Sequence, residues 1–321
     1  MSAETIAPPK GAKLWLMASR AYSFPASIIP VLFGSVLALI FDPAIKFNFF
    51  TFFLALVGSV LAQVGSNLIN DIYDYKKGID KADKKNGIPH GGSMVLSMNF
   101  MTLEQMKMGA TVALAAGALI GFYLYLVAGP WILYLLIFGV LSSILYTATP
   151  MAFKYIALGD IQVFVSFGAV ITLGSYIVQT HEFSWMPVIL SIPLGFLIDA
   201  ILHTNNIRDI SFDGKFGVKT LPILIGESAS VKFYYFLMFG AYAAVGIFAA
   251  MKMLPYTALL CFVTLPIAIK LCKMANHFPK EMQARYEYGA KHIMMTAQLN
   301  MQFGLTMIIG ILIHYFFLMN K

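Results

Sequence analysis

The stretch FFTFFLALVGSVLAQVGSNLINDIYDYKKGID, residues 49–80, joins an uncharged apolar run to a dense acidic cluster. The apolar run, residues 49–66, has the length and composition of a membrane-spanning helix. The polar part that follows contains Asp71, Asp74 and Asp80. Three carboxylates at the end of a membrane span are costly to place without a partner, so we expect them to serve a function.

The composition of the whole chain agrees with a membrane protein. Of its 321 residues, 59% are hydrophobic and only 12% are charged, and the mean hydropathy is +0.77. Soluble domains carry about 25% charged residues. The two cysteines, Cys261 and Cys272, predict no disulfide framework. The sequence therefore indicates an all-α polytopic membrane protein.

Apolar runs of about 17–25 residues predict the membrane spans. There are nine, near residues 24–41, 51–69, 109–127, 131–147, 160–179, 186–203, 231–250, 254–272 and 295–316. With a cytoplasmic N-terminus, nineteen of the 22 Lys and Arg residues fall on the cytoplasmic side, as the positive-inside rule requires. The net charge of +7 then reflects anchoring at an anionic leaflet, and no nucleic-acid partner is expected.

A second polar cluster, HTNNIRDISFDGKFGVKT at residues 203–220, follows the sixth predicted span. Asn70 and Asp74 recur there as Asn205 and Asp209, and each pair is followed by one more aspartate, Asp80 or Asp213. This repeat predicts one domain over residues 1–321, with two four-helix halves around a central cavity and a ninth helix. The halves lie at about 20–147 with loop 70–108 and about 160–272 with loop 204–230, and the last helix lies at about 295–316.

Two acidic faces at one membrane depth repel each other unless positive charge lies between them. The donors in both clusters are mainly oxygen atoms, which favours a hard ion such as Mg²⁺. Mg²⁺ in proteins usually completes its coordination with water and substrate phosphate. Lysines and arginines alternate with the acids, and such side chains bind phosphate oxygens. The pattern therefore predicts a site for a diphosphate group.

At these residues the chain resembles the UbiA-type intramembrane aromatic prenyltransferases. The segments NDIYDYKKGID (70–80), YTATPMAFKYIALGD (146–160) and LHTNNIRDISFDGKFGVKTLPILIG (202–226) resemble its menaquinone-forming branch. The resemblance implies Mg²⁺-dependent transfer of a polyprenyl group from a polyprenyl diphosphate to an aromatic ring within the bilayer. The implied acceptor is 1,4-dihydroxy-2-naphthoate, in menaquinone biosynthesis.

The resemblance also implies roles for particular residues. Mg²⁺ would be held by Asp71, Asp74, Asp209 and Asp213. The substrate-binding set would be Arg20, Asn67, Asn70, Lys77, Asp80, Lys154, Tyr155, Asn205, Asn206, Arg208 and Lys219. Asp199, with His203 one turn later, is a candidate proton acceptor, although a structural pair of these two is an equal alternative. The sequence departs from the family at Met94, where many relatives have an arginine.

Two alternatives stay open at this point. Another ring or lipid acceptor (homogentisate, 4-hydroxybenzoate, a tetrapyrrole or a glycerol-lipid alcohol) fits the same motifs. A secondary transporter would also use internal repeats and intramembrane acids. For the enzyme, we expect a multi-pass protein of the cell inner (plasma) membrane with its active site toward the cytoplasm.

Overall fold

The computed structural model describes residues 9–42, 44–79 and 92–318, and every regular element in these ranges is a helix. Nine longer helices in this part of the chain are named α1 to α9. They are α1 Ala21–Phe41, α2 Phe49–Lys76, α3 Leu103–Ala128, α4 Pro130–Leu145, α5 Gly159–Thr180, α6 Ile192–Asp213, α7 Glu227–Ala250, α8 Tyr256–Ala275 and α9 Met282–Phe317. The all-α architecture expected from the sequence is confirmed.

Seven of these helices are long and apolar enough to cross a membrane: α1, α2, α3, α5, α7, α8 and α9. Helix α4 is apolar but has only 16 residues. Helix α6 is long enough but includes Asp199, Arg208, Asp209 and Asp213. Because these two helices do not qualify by length and apolarity, the count of nine spans is not confirmed and stays a prediction.

Capping residues explain where two of the helices begin. The Asn48 side chain accepts hydrogen bonds from the backbone N–H groups of Phe50 and Thr51, each at 3.1 Å, at the start of α2. Thr102 and Gln105 form a reciprocal capping box before α3. These bonds satisfy backbone donors that have no partner within the helix.

The predicted loop at 204–230 is wrong over residues 204–213, which are helical. A short helix, Trp185–Leu190, ends near Ser191, and α6 then runs without interruption to Asp213. No glycine or proline interrupts the sequence between residues 196 and 213, so its polar residues extend the helix. The second acidic cluster is therefore carried mainly on a rigid helix, as the first one is at the end of α2.

The helices pack against one another in a bundle. Helix α1 packs against α2, α5 and α9, and α6 packs against α5, α7 and α9. Large apolar side chains such as Phe49, Phe53 and Leu119 are exposed on the outside, as expected for surfaces that face lipid. The acidic ends of α2 and α6 reach the same end of this bundle, where they line a common pocket. The division into two four-helix halves stays a prediction.

Candidate active site

The two acidic motifs meet in one small polar pocket at the ends of α2 and α6. Its volume is about 20 Å³. It is lined by Arg20, Asn70, Asp74, Ile79, Gly92, Lys154, Asn205, Asp209, Phe212 and Asp213. Both Asn-xxx-Asp pairs, residues 70–74 and 205–209, therefore contribute to one site, which is the arrangement that the repeat predicts.

On the α2 side, Asp74 is bound by two residues of the loop between α4 and α5. Lys154 Nζ donates to Asp74 Oδ2 at 2.6 Å and to Asn70 Oδ1 at 3.2 Å. Tyr155 OH donates to Asp74 Oδ1 at 2.8 Å. Both oxygens of this buried carboxylate are thus engaged, and the loop is held over the end of α2.

The charge of Lys154 is fixed by this environment. Burial is the largest single effect on the Lys154 amine and lowers its pKa, but the neighbouring acidic groups, Asp74 first and then Tyr155 and Asp213, together raise the pKa well above its usual value. The pKa of Tyr155 is raised as well, first by burial and then by Asp74. At physiological pH, Asp74 is therefore contacted by a protonated lysine and a neutral phenol.

Asp71 faces a different neighbour from Asp74. It forms an ion pair with Arg20, and Ser93 donates to its Oδ2 through the backbone N–H, at 3.0 Å, and through the hydroxyl. A Cβ at Gly92 would collide with both members of the ion pair, so any larger residue at this position must displace the Asp71 carboxylate or the Arg20 guanidinium. Asp71 does not line the polar pocket, whereas the Arg20 guanidinium does.

On the α6 side, Arg208 forms a bidentate pair with Asp209. Its Nε and Nη2 atoms each lie 2.7 Å from one carboxylate oxygen of Asp209, and Nη2 also donates to Asn205 Oδ1 at 2.9 Å. The guanidinium lies over the ring of Tyr286, 4.3 Å from its centroid. Such a planar arrangement fixes the orientation of the carboxylate.

Arg285, from α9, supports this second motif. Its Nη2 donates to the carbonyl of Ile207 at 2.7 Å and its Nε donates to the carbonyl of Arg208 at 3.0 Å. It also pairs with Glu227 at 3.1 Å, at the start of α7. Arg285 thus joins three helices directly behind the acidic face of α6.

Asp199 and Asn206 lie outside the polar pocket. Both are buried on α6, and neither Asp199 Oδ1 nor Asn206 Oδ1 has a hydrogen-bond partner among the described residues. The suggested pairing of Asp199 with His203 is not found. His203 Nδ1 instead lies 2.7 Å from Asp160 Oδ1, on α5, and its Nε2 lies 3.1 Å from the Ser230 carbonyl. His203 reaches Asp160 because α5 and α6 pack against each other. The spacing of residues along α6 does not show which residue of another helix will be the partner.

The remaining candidate residues lie around the pocket or away from it. The Lys77 Nζ atom lies 3.3 Å from the centroid of the Tyr155 ring. Burial lowers the pKa of this lysine, although the nearby Asp74 raises it. The Lys219 side chain is exposed, and its backbone N–H donates to the Tyr155 carbonyl at 3.3 Å. Asn67 donates to the Ser19 carbonyl at 2.9 Å. Asp80 lies outside the described residues.

A larger, mostly apolar cavity adjoins the polar pocket. Its volume is about 300 Å³, and it extends between α2, α3, α4 and α5. Four residues line both spaces: Arg20, Asn70, Lys154 and Asn205. The site therefore presents charged donors at one end of a space that is otherwise suited to hydrocarbon.

The donor chemistry of the polar pocket fits Mg²⁺. Its acids, Asp74, Asp209 and Asp213, offer only oxygen ligands, which Mg²⁺ prefers. No three acidic, His or Cys side chains of the described ranges are grouped closely enough to hold an ion by themselves. Mg²⁺ commonly uses one or two carboxylates and takes its other ligands from water and substrate phosphate, so a complete protein cage is not required.

Sequence reasoning missed several residues that position the site. Ser93, Gly92 and Arg285 carry no motif and lie far along the chain from their partners. Met94, two residues after Gly92, has a positive φ of 62° and does not line the polar pocket. For Arg285, the sequence shows only an arginine in the polar first turns of the last apolar helix, and its burial is visible in the structure alone.

The bundle, the cavity and the paired acidic motifs define a helical membrane protein with a polar site at one end of an apolar chamber. Comparison with known proteins identifies it more closely. The UbiA prenyltransferase family matches residues 27–314, and the chain belongs to this family.

Two relatives and one solved structure illustrate the similarity. The chain is 35% identical over 304 residues to the UbiA prenyltransferase domain-containing protein 1 homolog of Drosophila melanogaster, covering 93% of this chain and 79% of that relative. It is 31% identical over 310 residues to the 1,4-dihydroxy-2-naphthoate octaprenyltransferase of Bacillus subtilis (strain 168), covering 95% and 94%. The structure of a UbiA homolog from Archaeoglobus fulgidus bound to DMAPP and Mg²⁺ has the same fold, with a TM-score of 0.56 at 15% identity, covering 92% and 98%.

The chain is accordingly a prenyltransferase enzyme and a multi-pass membrane protein. The resemblance of its two acidic motifs to the UbiA family is thereby confirmed at the level of the family.

Proposed function

We propose that the enzyme transfers a polyprenyl group from a polyprenyl diphosphate to a hydroxylated aromatic ring, with Mg²⁺ as cofactor. The observation that carries this proposal is the polar pocket, where both Asn-xxx-Asp motifs converge beside Arg20 and Lys154 at one end of an apolar cavity. A diphosphate matches the charged end, and an isoprenoid chain matches the apolar part. The structure of the Archaeoglobus fulgidus homolog bound to DMAPP and Mg²⁺ supports the choice of donor and metal.

The acids in this proposal hold the metal, and the basic residues hold the diphosphate. Asp74, Asp209 and Asp213 are the candidate ligands because they line the pocket. Asp71, which the sequence also suggested as a ligand, instead orients Arg20. When bound to these acids, Mg²⁺ would neutralise negative charge that develops on the leaving diphosphate.

Lys154 and Arg20 are placed to act on the same leaving group. Both side chains line the pocket and the adjoining cavity, and nearby carboxylates keep both protonated. Their donors can bind diphosphate oxygens as the bond between the prenyl C1 and the diphosphate oxygen breaks. The ring then forms a carbon–carbon bond to C1 and loses a proton or CO₂, which restores its aromaticity.

The apolar cavity gives the reaction a dry environment. Tyr146 lines this cavity beside Lys154, so its ring is available to an allylic carbocation at C1. An aromatic face stabilises a cation by about 2 kcal/mol when water is excluded. Asp199 does not line the cavity, so its carboxylate is not in a position to accept the ring proton directly.

We infer that the acceptor is 1,4-dihydroxy-2-naphthoate, in menaquinone biosynthesis. The support is the similarity to the Bacillus subtilis 1,4-dihydroxy-2-naphthoate octaprenyltransferase over nearly the full length of both chains. The distribution of Lys and Arg supports a cytoplasmic N-terminus and a site that faces the cytoplasm, and we propose the plasma membrane as the location.

The test is an assay of the purified protein in lipid nanodiscs with geranylgeranyl diphosphate, Mg²⁺ and a panel of ring acceptors, analysed by mass spectrometry. The panel contains 1,4-dihydroxy-2-naphthoate, homogentisate and 4-hydroxybenzoate. We expect prenylated naphthoate, loss of product with EDTA and recovery with added Mg²⁺. Product from another ring would correct the acceptor, and product in chelated samples would exclude the metal assignment.

A further inference from the structure

A cluster of polar side chains lies in the wall of the apolar cavity, apart from the polar pocket. Gln162 Nε2 donates to both the carbonyl and the hydroxyl of Ser142, each at 2.7 Å. The hydroxyl groups of Ser142 and Ser166 lie 2.7 Å apart. All three residues line the cavity, and none of them contacts the acidic motifs through a hydrogen bond among the described residues.

The cluster leaves one strong acceptor without a donor. Because Gln162 Nε2 donates to a backbone carbonyl, the orientation of the amide is defined, and its other atom is Oε1. Gln162 Oε1 is buried and accepts no hydrogen bond from the described residues. A buried amide oxygen without a partner is costly in an apolar environment, so a ligand that supplies a donor gains from binding here.

The cluster lies where the aromatic acceptor must bind to reach the prenyl group. Ser142 lies three residues before the end of α4, and Gln162 lies three residues after the start of α5, which corresponds to a rise of about 4.5 Å along each helix. The loop between these two helices carries Lys154. The cluster is thus about one helical turn from the charged end of the cavity, where the ring must meet C1 of the prenyl group.

A local irregularity of α5 lies at the same place. Ser166 belongs to the segment Phe164–Val170, which is a π-helix within α5. Turns of this kind are rare and are frequently found at functional sites. An isoprenoid chain has no hydrogen-bond donor, so it cannot satisfy Gln162 Oε1, whereas a ring hydroxyl can.

We propose that Gln162, held by Ser142, accepts a hydrogen bond from a ring hydroxyl of the aromatic acceptor and so selects hydroxylated rings. This inference rests on the proposed transfer to an aromatic ring. Gln162 is in this view a specificity-determining residue that orients the ring, while the acidic motifs and Lys154 act on the diphosphate.

The test compares Gln162→Leu with a matched control, Ser143→Ala. Ser143 lines the same cavity, but its hydroxyl donates to the Gly139 carbonyl at 2.8 Å and is therefore satisfied within its own helix. We expect Gln162→Leu to raise the KM for the ring acceptor about fivefold to tenfold, as for one lost hydrogen bond, with the KM for geranylgeranyl diphosphate within about twofold of wild type. Ser143→Ala should change neither constant.

A second comparison uses an acceptor whose ring hydroxyl groups are methylated. The wild type should use it less well than the free diol, and Gln162→Leu should lose most of this difference. If the leucine variant misfolds, Gln162→Met serves in its place, since it keeps the length of the side chain. Equal rises in both KM values, or unchanged KM values with a lower Tm, would assign the cluster to helix packing and overturn the inference. Absence of ring prenylation by the wild type would instead refute the proposed function itself.

Discussion

Replacing Lys154 with methionine removes one positive charge from the polar pocket and leaves a side chain of similar length. In the structure this ammonium lies 2.6 Å from Asp74 Oδ2 and lines both the pocket and the cavity. At an effective dielectric constant of about 20, two unit charges at about 3–4 Å interact with about 4–6 kcal/mol. An attraction of this size is also available between the Lys154 ammonium and a diphosphate oxygen. Only the part of that attraction that grows as the diphosphate leaves contributes to catalysis.

Removal of one such charge-stabilising donor typically costs about 100- to 1000-fold in kcat. We therefore expect Lys154→Met to lower kcat by this factor. Lys219→Met is the informative comparison, because the sequence suggested both lysines as phosphate ligands, whereas the structure exposes Lys219 to solvent. The Lys219 variant should keep at least a third of the wild-type kcat.

The assay is steady-state prenylation in nanodiscs, with each variant first checked for a monodisperse size-exclusion profile and wild-type helical content. If folded Lys154→Met retains kcat within about threefold of wild type, the ammonium does not act on the leaving group. Equal losses in both lysine variants would show that solvent exposure does not separate their roles.

Three other predictions concern the same site. Asp74→Ala and Asp209→Ala should each abolish product while the protein still inserts and purifies as a folded species, and near-normal turnover of either variant would contradict its role as a metal ligand. Gly92→Ala should lower both activity and Tm, because its Cβ would separate the ion pair beside it at a cost of about 1–3 kcal/mol. The control is Gly246→Ala, whose added Cβ would lie in open space, and it should leave the Tm nearly unchanged or slightly higher. The pKa of Lys154 is raised in the folded protein, so the Tm difference between wild type and Lys154→Met should stay constant up to about pH 10. Above that pH, lysine in the unfolded chain loses its proton and the difference should shrink. A difference that disappears near pH 7 would be inconsistent with the raised pKa.

The meeting of the two acidic motifs was predictable because Asn70 and Asp74 recur as Asn205 and Asp209 at the ends of two apolar helices. Their common pocket follows from two such helices ending at one end of the same bundle. The all-helical fold was also predictable, because the lengths of the apolar runs in the sequence indicate membrane-spanning helices.

The different role of Asp71 was not predictable from its place on the same helical face. At about 100° per residue, Asn67, Asn70, Asp71 and Asp74 span an arc of about 100°, with Asn70 and Asp71 at its two edges. The neighbour at each edge is set by the packing of distant segments, here the segment with Arg20 on one side and the loop with Lys154 on the other. The pairing of Asp160 with His203 likewise depends on how α5 and α6 pack.

The contacts of Arg285 bear on the order in which the protein is assembled. Arg285 follows Arg208 by 77 residues, and it binds the carbonyls of Ile207 and Arg208 from a helix that is synthesised later. During insertion, the second acidic motif must therefore wait for α9 before its rear support forms. A nascent chain arrested before this helix would enter the bilayer with an immature catalytic end, so competence for turnover is acquired late in biogenesis.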